Sequence, residues 1–153
     1  MPTDSFVPNV IGSALRDNRA MEYEAFVARH LDGVLRLCRA EGWPSFPADS
    51  SRALAVLTAP GVVTVVAVEG ERVLGFAQVL TDGAIQAYLC NIAVALERRR
   101  QGVGRRLVQE VFAQPGAERL DLISVSAADD FYQGFQHRTF PGFRIYPERL
   151  DSN

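Results

Sequence analysis

Apolar positions along this chain follow two rhythms, an alternating or clustered one suited to strands and a three- and four-residue one suited to helices. Met21, Tyr23 and Ala25 alternate with Glu22 and Glu24, which predicts a first strand over Met21–Val27. Leu31, Val34, Leu35 and Cys38 repeat at helical spacing and predict a helix ending near Gly42. The segment Trp43-Pro44-Ser45-Phe46-Pro47 reads as a rigid aromatic loop, and a second helix is expected over Ala48–Thr58, stopped by Pro60-Gly61. Val62–Val68, Val73–Leu80 and Ala84–Val94 are strand-like runs separated by Glu69-Gly70-Glu71 and Thr81-Asp82-Gly83, the pattern of an antiparallel meander. Beyond them Val103, Leu107, Val108, Val111 and Phe112 recur on one helical face, and that helix should end before Pro115-Gly116.

Composition narrows the setting. A chain of 153 residues with 48% hydrophobic and 22% charged residues has the size and balance of one globular domain. Residues 1–20 mix Pro, Asn, Asp and Ser with a short apolar patch and read as a leader segment ahead of a single domain over residues 21–150. No apolar run approaches the ~20 residues of a membrane span, and the amino terminus lacks the basic-then-apolar order of a signal peptide, so a cytoplasmic protein without a membrane partner is expected. Cys38 and Cys90 lie far apart with no metal-ligand partner at useful spacing, and they read as free buried thiols. A formal net charge of -2 argues against broad nucleic-acid binding, although Arg98, Arg99, Arg100, Arg105 and Arg106 form a local basic cluster.

That cluster surrounds the most informative stretch, Arg99-Arg100-Gln101-Gly102-Val103-Gly104-Arg105, which joins a strand ending at Val94 to an amphipathic helix. Glycines let the backbone approach an anion, and a helix start supplies unpaired N–H groups and a positive dipole end. Two familiar phosphate loops do not fit. A nucleoside-triphosphate loop needs Gly-Lys followed by Ser or Thr, whereas Gly104 precedes Arg105. A dinucleotide fingerprint needs a third glycine where this chain has Leu107.

The spacing Arg-x-x-Gly-x-Gly at Arg99, Gly102 and Gly104, five residues after Val94, resembles the acetyl-CoA signature of the GNAT superfamily of N-acyltransferases. The resemblance spans residues 60–147. Ile92-Ala93-Val94 stands where the family has its strand end, with Leu96 in place of the usual Pro and Arg98 in place of the usual aromatic. Downstream, Leu120–Val125 matches the family's next strand, Ala127–Tyr132 its short helix carrying Phe-Tyr, and Gly142–Tyr146 its final strand. The resemblance implies an α/β (α+β mixed) fold, with a central, mostly antiparallel sheet splayed at the cofactor site and flanked by helices.

It also implies acetyl-CoA as cosubstrate, with no metal and no covalent intermediate. An amine attacks the thioester, the oxyanion is stabilised, and the departing thiolate is protonated. Backbone N–H groups of Asn91, Ile92, Ala93 and Val94, on a strand splayed or bulged there, are the candidates for the thioester oxygen and pantetheine amides. Arg99, Arg100, Gln101, Gly102, Val103, Gly104 and Arg105 are the candidates for the diphosphate. Tyr132 is the candidate acid, since a phenol near pKa ~10 protonating a thiolate near ~8.5 is uphill by only ~2 kcal/mol. The family's usual Asn seven residues earlier is replaced by Ser124-Val125-Ser126. No base carboxylate stands out near Asn91, and His30 and His137 read as packing or surface residues. Trp43, Phe46 and Tyr88, with Glu41 and Asp49, are candidates for an acceptor site taking an amine-bearing small molecule or peptide. A homodimer is compatible with this reading. A catalytically weak acyl-CoA-binding sensor or interaction module is the alternative that the absent base carboxylate keeps open.

Overall fold

The structure is a computed structural model in which residues 20–114 and 116–147 are described, so the leader expected at residues 1–20 lies, except for Ala20, outside the described residues. Strand β1 (Glu22–Ala25) is followed by helices α1 (Leu31–Ala40) and α2 (Ser50–Leu57), then by strands β2 (Val62–Glu69), β3 (Arg72–Thr81) and β4 (Gln86–Val94). Helix α3 (Val103–Ala113), strand β5 (Arg119–Asp121) and the short helix α4 (Asp129–Gln133) complete the order. The sheet runs β1-β2-β3-β4-β5, antiparallel except for the parallel β4–β5 pair. This is the mixed α/β sheet flanked by helices that the sequence predicts. None of the described helices is long and apolar enough to cross a membrane.

Each face of the sheet buries its own cluster. Val66, Val68, Val73, Phe76 and Ala93 pack with Val34, Leu37, Cys38 and Leu57 of the first two helices. Val65, Ala67, Ala77, Val79 and Leu89 pack on the other face with Val103, Leu107, Val108 and Val111 of α3. The apolar stripes of α1 and α3 are therefore what hold the helices to the sheet, as amphipathic spacing requires. His30 is buried at the start of α1, where its Nδ1 accepts from the Val27 N–H at 3.1 Å and its Nε2 faces Glu24 at 2.8 Å. It is a packing residue, with its pKa lowered first by burial.

Two expected strands differ from the structure. Of Leu120–Val125 only Leu120 and Asp121 join β5, because pairing with β4 ends at Tyr88↔Asp121 and the chain then leaves the sheet. The final strand expected over Gly142–Tyr146 does not form. No described strand lies alongside it to pair its N–H and C=O groups, and Phe143 and Ile145 stand 82% and 90% exposed.

Gly33 fixes how closely α1 lies on the sheet. A Cβ added there would sit 2.6 Å from Cβ of the buried, β-branched Val73 on β3. Alanine gains about 1 kcal/mol of helix propensity over glycine, while overpacking a rigid neighbour costs about 1–3 kcal/mol. Because the clash is with a stiff Cβ, overpacking wins. Gly33→Ala is expected to lower unfolding free energy in urea by about 1–2 kcal/mol, and an unchanged or raised midpoint would contradict this packing.

Candidate functional site

The site is built where β4 loses one neighbour. Its pairing with β5 stops at Tyr88, while pairing with β3 continues to Val94. The Ala95 N–H bonds the Leu74 carbonyl at 2.8 Å. By the alternation of an antiparallel ladder, Asn91 and Ala93 then bond β3, and the backbone groups of Ile92 and Val94 face the open side. This is a splayed strand, and of the four backbone candidates named from sequence Ile92 and Val94 lie on its open side, whereas Asn91 and Ala93 spend their N–H groups on β3.

A β-bulge sits in the same place. The β3–β4 register shifts between Gln78 and Val79, so Cys90 has no opposite number. Leu89 points into the α3-side cluster, whereas Asn91 and Ala93 lie on the α1 side, so the extra residue reverses the alternation. Asn91 Nδ2 donates to Oε1 of the buried Gln78 at 2.7 Å, closing a neutral amide pair across the bulge. Sequence reasoning missed Gln78; its signal is a polar residue at an inward position of an otherwise apolar strand. Cys38 and Cys90 are both free thiols, buried and half-buried respectively. Desolvation pushes the Cys38 thiol up to about 11 and the Cys90 thiol up as well, so neither is a ready thiolate.

After Val94 the chain turns through Arg99 to Gly102 into α3. Arg100 and Gly102 both adopt left-handed backbone, with φ of 58° and 83°. Successive turns of this kind aim N–H groups into a common concavity. Gly102 is the N-cap of α3 and has no side chain with which to satisfy the first turn. Among the described residues, none of the N–H groups from Arg100 to Arg105 has a backbone or side-chain acceptor. Nothing lies within 4 Å of where a Cβ on Gly102 would stand, so the space beside this N-cap is open. An uncapped N-terminus beside an open space is suited to an anion.

The basic side chains around the loop are divided in their duties. Arg99 Nε donates to the Val94 carbonyl at 3.0 Å and its guanidinium pairs with Glu41, so Glu41 is not a free carboxylate for an ammonium. Arg98 grips Glu69 with two bonds at 3.0 and 2.7 Å, and Arg106 pairs with Glu110. Gln101 Nε2 donates to the Glu97 carbonyl, bracing the loop from within. Arg105 reaches the Gly134 carbonyl at the end of α4. Arg100 has no ion-pair partner among the described residues and remains exposed at the loop.

Helix α4 lies against the start of α3. A Cβ on Gly104 would come within 3.2 Å of the Phe131 ring and 3.7 Å of Val94 Cγ2, so this glycine admits Phe131 at the mouth of the open strand. Phe131 packs edge to face on Tyr132 and Phe135, and Tyr132 and Phe135 reach the α3-side cluster that Ile92 and Val94 also join. The Tyr132 hydroxyl makes no hydrogen bond with any described residue, and burial raises its pKa above the usual phenol value.

The opposite face carries the other candidates. Tyr88 lines an open cavity of about 460 Å³ with Pro60, Gly61, Leu80, Asp82 and Gln86. Asp82 spends Oδ1 on the N–H groups of Ala84, Ile85 and Gln86, which hold its carboxyl below the ordinary range. Trp43 and Phe46 pack against the α1-side core, and Trp43 also borders a cleft of about 250 Å³ with Arg39, Gly42, Pro44 and Pro47. Asp49 caps α2 through the Arg52 N–H at 3.0 Å. Tyr88, Trp43 and Phe46 thus share a face of the sheet but not a single cavity.

Comparison with known proteins agrees with this architecture. Residues 60–137, about half of the chain, match the family model described as Acetyltransferase (GNAT) domain. Among solved structures, the aminoglycoside N-acetyltransferase AAC(6')-Iy in complex with CoA superposes with a TM-score of 0.70 at 19% identity, covering 86% of this chain and 96% of that one. An acetyltransferase of Trypanosoma brucei gives 0.69 at 18% identity over 84% of this chain and 100% of that one. A GNAT family acetyltransferase of Streptococcus pneumoniae gives 0.65 at 22% identity over 85% and 98%. A search of the curated proteins returned no match.

The environment of Tyr132 can be read by titration. A buried phenol whose ionised form is disfavoured keeps its proton to higher pH, and the folded state loses stability as pH rises from the unfolded phenol value toward the folded one. The difference between phenolate absorbance curves of the protein and Tyr132→Phe should show this residue ionising above ~10. A midpoint at or below the ordinary phenol value would contradict its burial.

Proposed function

This chain belongs to the GNAT acetyltransferase family, and on that premise we propose that it transfers an acetyl group from acetyl-CoA to a primary amine by direct attack in a ternary complex. The observation that carries the reading is the run of unpartnered N–H groups from Arg100 to Arg105, placed directly after the open end of β4. These residues fit a diphosphate: the amides have no acceptor among the described residues, the space beside Gly102 is open, and Arg100 supplies an uncommitted guanidinium. The N–H groups of Ile92 and Val94 and the Ile92 carbonyl, on the open side where Arg99 already takes the Val94 carbonyl, are suited to an extended amide-bearing arm, which would bind there as a further strand does.

Acetyl-CoA supplies the activated acyl group and a thiolate leaving group. The chain's own residues then have three tasks. The open amides at Ile92 and Val94 can stabilise a developing oxyanion without any side chain. Tyr132, a phenol that carries its proton at neutral pH and whose burial disfavours ionisation further, can deliver its hydroxyl proton to the departing sulfur. Asn91, paired with Gln78, cannot accept a proton at neutral pH and instead offers a fixed amide to orient the amine or a water that removes its proton. The shelf formed by Leu80 and Tyr88 and the loop bearing Trp43 and Phe46 lie on that face and would receive the acceptor.

The neutral amide pair also favours the second reading, an acyl-CoA-binding module with weak turnover, because a carboxylate base is replaced by two groups that do not titrate. Thiol release from acetyl-CoA with a panel of primary amines separates the two. Turnover supports the enzyme; tight CoA binding without any thiol release supports the module.

Two substitutions test the roles. Gly104→Glu drives a side chain into Phe131 and a carboxylate into the cradle, and it should weaken CoA binding measured by calorimetry at least 100-fold. Wild-type protein that does not bind CoA at all would overturn the reading. Tyr132→Phe should keep CoA affinity within twofold while thiol release slows by about 10²-fold or more, the usual contribution of a positioned acid. An unchanged rate removes Tyr132 from the mechanism.

A further inference from the structure

Arg105 follows the second glycine of the loop and reads in sequence as a phosphate ligand, yet its guanidinium is directed elsewhere. Both terminal nitrogens donate to the Gly134 carbonyl, at 2.9 and 2.8 Å, and the planar head lies 4.6 Å from the centre of the Phe135 ring. Gly134 is the C-cap of α4, where unpaired carbonyls concentrate negative charge, so a cation there complements the helix end. Helix α4 has five residues and contains no fully buried side chain. A helix of that length cannot hold itself together in water. Its anchors are Phe131 against Gly104, the partial burial of Tyr132 and Phe135, and the clasp made by Arg105.

We propose that Arg105 is a positioning residue: it fastens α4 to the first turn of α3 so that Tyr132 is held beside the open end of β4. The inference rests on the role given to Tyr132 under the proposed function, and it moves Arg105 from the phosphate site to the acid's support. Two properties of arginine are used together. The fork closes on one carbonyl through two N–H groups, and the flat guanidinium stacks on an aromatic face. Lysine keeps the charge but has neither. The division also leaves Arg100 as the free guanidinium of the loop, while the backbone of Arg105 still offers its N–H to an anion.

The test compares wild type with Arg105→Lys, which preserves positive charge near the loop. In the protein without ligand, amide hydrogen exchange over residues 129–135 should accelerate at least tenfold, and phenolate titration should bring Tyr132 down toward the ordinary phenol value. Calorimetry with CoA should give a Kd within twofold of wild type. In thiol-release assays the loss caused by Arg105→Lys should disappear in a Tyr132→Phe background, because both changes act on one proton delivery. If exchange over 129–135 is unchanged, the proposal is overturned, and a tenfold or larger loss of CoA affinity alongside it would return Arg105 to the phosphate site. Phe135→Leu provides a second probe that leaves Arg105 in place. It should loosen the same segment with CoA affinity retained, and a segment left rigid would count against the clasp. An intact clasp with no rate effect from Tyr132→Phe would instead overturn only the role of the acid.

Discussion

A strand that loses its neighbour halfway along must find other partners for its main chain, and β4 is such a strand. Its first three residues pair with β5, and its last residues have β3 alone. In a closed sheet the groups of Ile92 and Val94 would be satisfied by the next strand. Here no strand does so beyond Tyr88, although Arg99 Nε takes the Val94 carbonyl, and the adjoining turn adds the uncapped start of α3 in the same stretch of chain. Leaving main-chain donors without protein partners lowers stability by about 1–3 kcal/mol for each one that is also shut off from water. The open splay avoids that cost by leaving them on a side of the strand that no other strand covers, where water can partner them.

The charges around this opening are arranged for shape as much as for attraction. Arg98 and Arg99 tie the turn to Glu69 and Glu41, elements distant in sequence, and so hold it in the conformation that directs its amides outward. Such pairs are partly exposed and individually worth little. Their value lies in bracing a backbone with two left-handed residues, one of them the non-glycine Arg100. A protein of net charge -2 thereby keeps a local positive region without a large basic surface.

Much of the fold was legible because its elements carry strong local patterns. The meander from Val62 to Val94 and the amphipathic α3 are set by side-chain rhythm and by glycine-bearing turns, and the structure has them within two residues of the expected bounds. The glycine loop was legible for the same reason at Gly102, which acts through local backbone geometry, whereas the close packing that Gly104 permits is against Phe131, distant in sequence. What could not be read depends on partners far away in the chain. The direction of the Arg105 guanidinium is decided by a carbonyl 29 residues later. The resemblance implies a strand splayed or bulged near Asn91, but the placing of the bulge at Cys90 has no local marker, since Leu89-Cys90-Asn91 contains neither glycine nor proline. The apolar run Phe143-Arg144-Ile145-Tyr146 has strand composition, but strand formation needs a neighbour, and composition says nothing about whether one is there.

The unpaired residue in β4 has a further consequence for how the protein can vary. Because the alternation reverses at Cys90, Tyr88 and Asn91 come to the same side of the sheet although an odd number of positions separates them. The parity of the strand, rather than the identity of any one side chain, decides which groups lie on the α1 side and which meet the apolar layer beneath α3. Individual residues at Tyr88, Asn91 or Ile92 can therefore be replaced without changing sides, whereas gaining or losing one residue between them would turn the amide of Asn91 into the oily interior beneath α3. Diversification at this strand should proceed by replacement and not by insertion or deletion.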